Sequence, residues 1–163
     1  MTPPSAQSKV LSHHGAVELT RLFRSGRFRV IATNGCFDLL HAGHVRYLEA
    51  ARALGDQLVV GVNTDWAVRV LKGPGRPVNP TPDRMLVLAA LACVSYVIPI
   101  DSVRVDGFIR SVRADVWCKG GDYTLGTLNP AEVEAAKEVG TRIKILPIVQ
   151  GVSTTSILRK AAQ

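Results

Sequence analysis

The chain has 163 residues, 47% hydrophobic and 20% charged, which is the length of one domain with enough apolar content for a core. This composition excludes a disordered chain. The formal charge is +7, with 14 arginines among the 20 basic residues spread along the chain and only 6% aromatics; that suits a small anionic substrate as well as a nucleic acid, and a base-stacking platform poorly.

Residues 1–15 are polar and Pro/Ser-rich and predict a loose tail. A short helix is expected over 17–23, ended by Ser25-Gly26, then a strand over 28–33. Helix 44–54 places Tyr47, Leu48, Ala51 and Leu54 on one face, and 58–62 is a second buried strand. A short helix over 65–71 leads into a Gly/Pro-rich loop over 72–82. Met85, Leu88, Ala89 and Ala92 form a helical stripe, followed by a strand over 94–100. Val105, Phe108, Ile109 and Val112 repeat the stripe, and a short strand starts at 116–118. A helix over 130–139 has Pro130 in its first turn and Gly140 as its stop, a fifth strand covers 142–146, and a helix over 154–161 closes the chain.

Short apolar strands alternating with amphipathic helices imply βαβ units and a parallel sheet covered on both faces. No internal repeat or linker is visible, and no apolar run approaches the ~18 residues of a membrane helix. The first residues lack a signal-peptide pattern, and Cys36, Cys93 and Cys118 form no CxxC pair; a reducing cytoplasm is expected.

In open α/β sheets ligands sit beyond the carboxyl ends of the strands, so the segments after each strand carry the chemistry. GxxxxGK[ST], GxGxxG and GxSxG are all absent. Instead the first strand runs through Thr33, Asn34, Gly35, Cys36, Phe37 and Asp38 into His41-Ala42-Gly43-His44. Two histidines three apart at a helix start share a face, and the free N–H groups there attract an anion. Gly43 permits close backbone approach, and the group suits a polyphosphate whose charge shifts during reaction. A metal reading is weaker, because the sequence positions no third ligand.

The remaining candidates admit two readings. Lys72 reads as a solvated loop lysine, whereas Arg76 and Arg84 either clamp a phosphate bidentately or solvate a surface. Gly120, Gly121 and Asp122 in Lys119-Gly120-Gly121-Asp122-Tyr123 form either a nucleotide-facing loop or an ordinary turn. Ser153, Thr154 and Thr155 are a helix cap, a phosphate site, or both. Asp38 meets a substrate hydroxyl or a metal, or fixes its loop; Asn63 and Asp65 meet the sugar, with an N-cap role explaining Asp65 equally well. Cys36 reads as a small packing residue inside the loop.

HAGH resembles the HxGH signature of the nucleotidyltransferase superfamily of cytidylyltransferases and adenylyltransferases. TNGCFDLLHAGHVRYLEAARALGD, KGPGRPVNPTPDRMLVLAAL, KGGDY and STTSIL together resemble the adenylyltransferase domain of bacterial heptose-phosphate enzymes, over about residues 28–161. The resemblance implies a Rossmann-like three-layer sandwich with a five-stranded parallel sheet, and a single nucleotidyltransferase domain over 16–163. It implies AMP transfer from ATP to D-glycero-β-D-manno-heptose 1-phosphate, with Mg²⁺ carried by the nucleotide rather than a protein cage. By resemblance, His41, His44, Lys72 and Arg84 are catalytic. Thr33, Asn34, Gly35, Cys36, Phe37, Gly43, Lys119, Gly120, Asp122, Ser153, Thr154 and Thr155 meet the nucleotide. Asp38, Asn63, Asp65, Arg76, Gly121 and Tyr123 meet the sugar phosphate. A homodimer without nucleic-acid or membrane partners is expected. CTP with a polyol phosphate is the alternative; the glycerol-phosphate enzymes' arginine before STT is replaced here by Ile148, which counts against it. A nucleic-acid-binding or regulatory module is a third possibility, disfavoured by the intact HAGH.

Overall fold

The computed structural model describes residues 5–124, 126–147 and 154–161. Five strands, β1 (Val30–Gly35), β2 (Gln57–Asn63), β3 (Tyr96–Ile100), β4 (Val116–Gly120) and β5 (Arg142–Leu146), pair in parallel in the order β3-β2-β1-β4-β5. Among the described residues there are seven α-helices: α1 (His13–Ser25), α2 (Ala42–Arg52), α3 (Asp65–Lys72), α4 (Thr81–Ala89), α5 (Asp106–Val112), α6 (Pro130–Glu138) and α7 (Thr154–Ala161).

Alternation along the strands builds two cores. Val30 and Ala32 of β1, with Val59 and Trp117, face Ala16 of α1, Phe108 and Ile109 of α5, and Ala135 and Ala136 of α6. Ile31, with Leu58, Val60 and Cys118, packs on the other face against Leu48 and Ala51 of α2 and Met85 and Leu88 of α4. The expected three-layer sandwich follows, because β1 to β4 are apolar on both faces. Fully burying a side chain such as Leu48 or Ile31 stabilises by roughly 1.5–3 kcal/mol.

Differences from the sequence expectations lie at the ends of elements. The first helix runs from His13 rather than residue 17, because the Ser12 hydroxyl caps it by accepting from the Gly15 N–H at 3.1 Å. Residues 5–12 are docked rather than loose. Ala6–Lys9 is a 3₁₀ turn, Leu11 N–H donates to the Val97 carbonyl at 2.9 Å, and Lys9 Nζ donates to the carbonyls of Leu91 and Val94. These partners are backbone carbonyls distant in sequence, so composition alone could not reveal them. β1 and β4 each extend two residues further than expected, to Gly35 and Gly120. At Gly140, φ is +74°, the left-handed stop that glycine allows after α6.

The connections reverse direction between β1 and β4, and the crevice at their carboxyl ends is where a doubly wound sheet binds its ligand. Gly35, Cys36, Lys119 and Gly120 meet there.

Candidate active site

β1 ends in a sharp turn that aims the following helix at the crevice. A Cβ on Gly35 would meet the Phe37 ring at 2.9 Å, so glycine makes room for that ring. Phe37 holds a left-handed φ of 45° and packs its buried ring edge-on against His44, 5.3 Å between centroids. His41 is the N-cap of α2 in extended conformation, and its carbonyl accepts from the backbone N–H groups of His44 and Val45. The His41 and His44 rings stack with centroids 3.8 Å apart. Both Nδ1 atoms are buried without a hydrogen-bond partner.

Buried imidazole nitrogens without partners are costly unless a ligand satisfies them. Burial pulls the His44 pKa down to about 4, helped by the neighbouring His41, and burial lowers that of His41. Two stacked rings resist carrying two charges. The pair is therefore neutral at pH 7, at the positive end of the α2 dipole, and an arriving polyanion favours its protonation.

The acidic and basic candidates around the loop over 73–80 have largely structural partners. Asp38 is buried; its Oδ2 accepts from Arg76 Nε at 2.6 Å, and its Oδ1 accepts from the backbone N–H groups of Val78 and Asn79. Burial alone would raise its pKa, but the two N–H groups and the Arg76 guanidinium outweigh it and hold the carboxyl below its usual value. Asp38 thus latches the loop, its carboxylate engaged by three donors of residues 76–79. Arg76 is held by that latch, with its side chain 18% exposed.

Arg84 corrects the sequence expectation most clearly. Its side chain is fully buried, and all five N–H donors are spent. Nε donates to the Asn79 carbonyl, Nη1 to the carbonyls of Cys36 and Asn63, and Nη2 to Asp65 Oδ1 and Thr81 Oγ1. A guanidinium so committed cannot clamp a phosphate. It is a strut joining the carboxyl ends of β1 and β2 to the loop before α4. Asp65 and Asn63 belong to the same brace. Asp65 Oδ1 also accepts from Thr81, and the buried Asn63 amide donates to the Ser102 carbonyl. Thr33 is likewise interior, its hydroxyl shared between Tyr47 and the Cys118 carbonyl. Lys72, by contrast, is exposed at the end of α3 and makes no ion pair among the described residues.

Across the crevice, Asn34 Oδ1 accepts from Trp117 Nε1 at 3.0 Å, tying β1 to β4. Lys119 is 8% exposed, its Nζ 4.4 Å from the centre of the Tyr123 ring and 5.3 Å from that of Trp117. Burial lowers its pKa, with Glu132, Asp122 and Cys36 opposing. This ammonium makes no salt bridge among the described residues and stands over the Tyr123 and Trp117 rings beside the crevice. Gly121, Asp122 and Tyr123 lie exposed beyond it. Thr154 Oγ1 donates to the Leu39 carbonyl at 3.3 Å, which brings the start of α7 against the turn before His41; Thr155 is exposed. Ser153 and Ile148 lie outside the described residues. Burial raises the Cys36 pKa against the nearby cations Lys72, Arg84 and Arg76, which fits packing rather than a nucleophile.

Trp117, Tyr47, Asn79 and Thr81 shape the site without having been singled out from the sequence. Each works through hydrogen bonds to residues that the fold brings near, for which a single sequence carries no signal.

The cytidylyltransferase-like family model matches residues 32–160. "Bifunctional protein HldE" of Koribacter versatilis is 44% identical over 158 residues, covering 96% of this chain and 32% of that protein. The protein of the same name from Photorhabdus laumondii is 48% identical over 134 residues, 80% of this chain and 27% of that one. The chain thus spans about a third of the length of these relatives. A crystal structure described as the lipopolysaccharide core biosynthesis protein of Thermoplasma volcanium GSS1 superposes with a TM-score of 0.62 at 25% identity, over 77% of this chain and 99% of that one.

Proposed function

The chain belongs to the cytidylyltransferase-like family of nucleotidyltransferases, and from that premise we propose that it transfers AMP from ATP to D-glycero-β-D-manno-heptose 1-phosphate, releasing pyrophosphate. The observation that carries this reading is the stacked, unpartnered His41–His44 pair at the α2 N-terminus, set at the sheet reversal. The HldE relatives, 44–48% identical over the matched third, support the heptose substrate.

In this reading an oxygen of the sugar phosphate attacks the α-phosphorus as its bond to the pyrophosphate oxygen breaks. No covalent enzyme intermediate forms, so the protein positions the reactants and stabilises charge. His41 and His44 donate to phosphate oxygens whose charge grows in the transition state. Lys72 and Lys119 supply cations from opposite sides of the crevice, while Arg84, Asp38 and Asn34 keep the loops in place. Gly43, Gly120 and Gly121 leave the backbone open to the nucleotide and sugar, with Asp122, Tyr123, Thr154 and Thr155 at the rim.

Nucleotidyltransferases of this family use a divalent metal with the nucleoside triphosphate. Among the described residues no three His, Cys, Asp or Glu side chains are grouped to hold one, and Asp38 and Asp65 are already bonded within the protein. Mg²⁺ would then be held chiefly by triphosphate oxygens and would neutralise their charge. We further propose a cytoplasmic homodimer, with the exposed Trp66, Val70 and Leu71 of α3 covered by the second copy. Among the described residues no helix is long and apolar enough to cross a membrane.

The test is pyrophosphate release with Mg²⁺, crossing ATP, CTP, GTP and UTP against heptose 1-phosphate, hexose 1-phosphates and glycerol 3-phosphate. Release with ATP and heptose 1-phosphate alone is expected. Release with CTP and a polyol phosphate instead would overturn the substrate assignment while keeping the histidine roles.

A further inference from the structure

The arginines that lie dispersed in the sequence gather at the amino-terminal edge of the sheet, opposite the crevice. Backbone bonds run across that edge: Asp56 N–H donates to the Arg29 carbonyl, Asp115 N–H to that of Val30, and Arg142 N–H to that of Asp115. Arg29 and Arg142 therefore stand in one row. Arg24 reaches into the row by donating from Nη1 to the Arg113 carbonyl at 3.0 Å, and Arg27 sits between Arg24 and Arg29 in the turn after α1. All five arginines are exposed, and none has an acidic partner among the described residues. The two carboxylates in the row accept from backbone, Asp56 from the Arg29 N–H and Asp115 from the Val30 N–H, both at 2.7 Å. Glu18 lies 3.8 Å from Arg21, further along α1.

Two further observations concern this edge. Leu22, 65% exposed, and Phe28, 48% exposed, flank the same turn, within which Gly26 N–H bonds the Leu22 carbonyl and Phe28 N–H that of Phe23. Arg27 and Arg113 also hold left-handed φ angles of 62° and 49°, where glycine or asparagine would be less strained. Among the described residues no acidic group or side-chain bond calls for arginine at either position. The field at the carboxyl ends of α1 and α5 favours cations at Arg24 and Arg113, but not at Arg29 and Arg142, which stand where strands begin.

We propose that this edge is a docking surface for an anionic lipid leaflet, with the arginines on the headgroups and Leu22 and Phe28 at the acyl boundary. Apolar tips ringed by unpaired cations are the pattern of interfacial binding. A nucleic acid would use the cations but has no use for an exposed leucine, and among the described residues the one exposed aromatic ring at this turn, Phe28, packs edge-on against Phe23. Docked this way, the protein turns its crevice to the water.

The test is co-sedimentation of the chain with vesicles of phosphatidylcholine alone and of phosphatidylcholine with phosphatidylglycerol, at low and high salt. Binding is expected only with phosphatidylglycerol, weakening as salt screens the charges. R27G/R113G should melt no lower than the parent, since glycine relieves both φ angles. Its nucleotidyl transfer should be unchanged. Vesicle affinity should fall about fivefold per cation removed, about thirtyfold in all. L22S/F28S should also weaken vesicle binding while leaving transfer intact. Equal binding to both vesicles, or unchanged binding by R27G/R113G, overturns the proposal. So does an RNA oligonucleotide that displaces the protein from vesicles while L22S/F28S binds both like the parent, because the edge would then be a general polyanion site.

Discussion

Replacing Arg84 separates a strut from a phosphate ligand. Arg84→Ala removes donors from three backbone carbonyls, those of Cys36, Asn63 and Asn79, and from Asp65 and Thr81. An orphaned buried acceptor costs about 1–3 kcal/mol. The lower end applies here, because the loop over 73–80 lies near solvent and water can enter. The ion pair adds about 1 kcal/mol, since the Asp65 side chain is 33% exposed and screened. The sum is about 3–5 kcal/mol, the range for breaking a buried pair. For a chain of this length that lowers Tm by roughly 10–15 °C. Thermal and urea unfolding measure it. Arg84→Lys should recover only part, because one ammonium cannot span five acceptors in a plane. An Arg84→Ala protein that melts like the parent but binds ATP far more weakly would refute the strut and restore the phosphate contact.

His44→Ala should lower turnover by about 10²-fold or more with the fold intact, as for other lost transition-state donors; near-normal pyrophosphate release would remove His44 from the mechanism. The depressed His44 pKa has a signed consequence for stability. Between the unfolded value of 6.5 and the folded value of about 4 the unfolded chain binds more protons, so stability falls as pH drops through that window. His44→Gln should flatten this part of the profile in denaturant titrations at stepped pH. Asp38→Ala leaves Arg76 and two backbone N–H groups without their acceptor. It should destabilise by about 2–4 kcal/mol, and limited proteolysis should cut the loop over 73–80 faster than in the parent. In Gly35→Ala the new methyl pushes the Phe37 ring, and through it His44. Turnover should fall more than Tm, and an unchanged kcat would show that the ring contact does not position His44.

The elements and their alternation are local properties, and they were legible. Apolar runs of strand length, helical stripes at 85–89 and 105–112, Pro130 and Gly140 each act within a few residues. The HAGH turn was equally visible, because it lies between one strand end and one helix start. What a charged side chain touches was not legible. Arg84 opens a helix and looks like any cation there, yet the turn of α4 points it inward, where carbonyls of β1, β2 and the following loop converge. Asp38 looks like a substrate acid until the chain closes the loop over 73–80 onto it. Arginines at 24, 27, 29, 113 and 142 are far apart in sequence, and only parallel strand pairing, which aligns the start of every strand at one edge, brings them together. Backbone propensity and hydrophobic period act over a few bonds and survive in the sequence, whereas a charge takes its meaning from neighbours that the topology supplies.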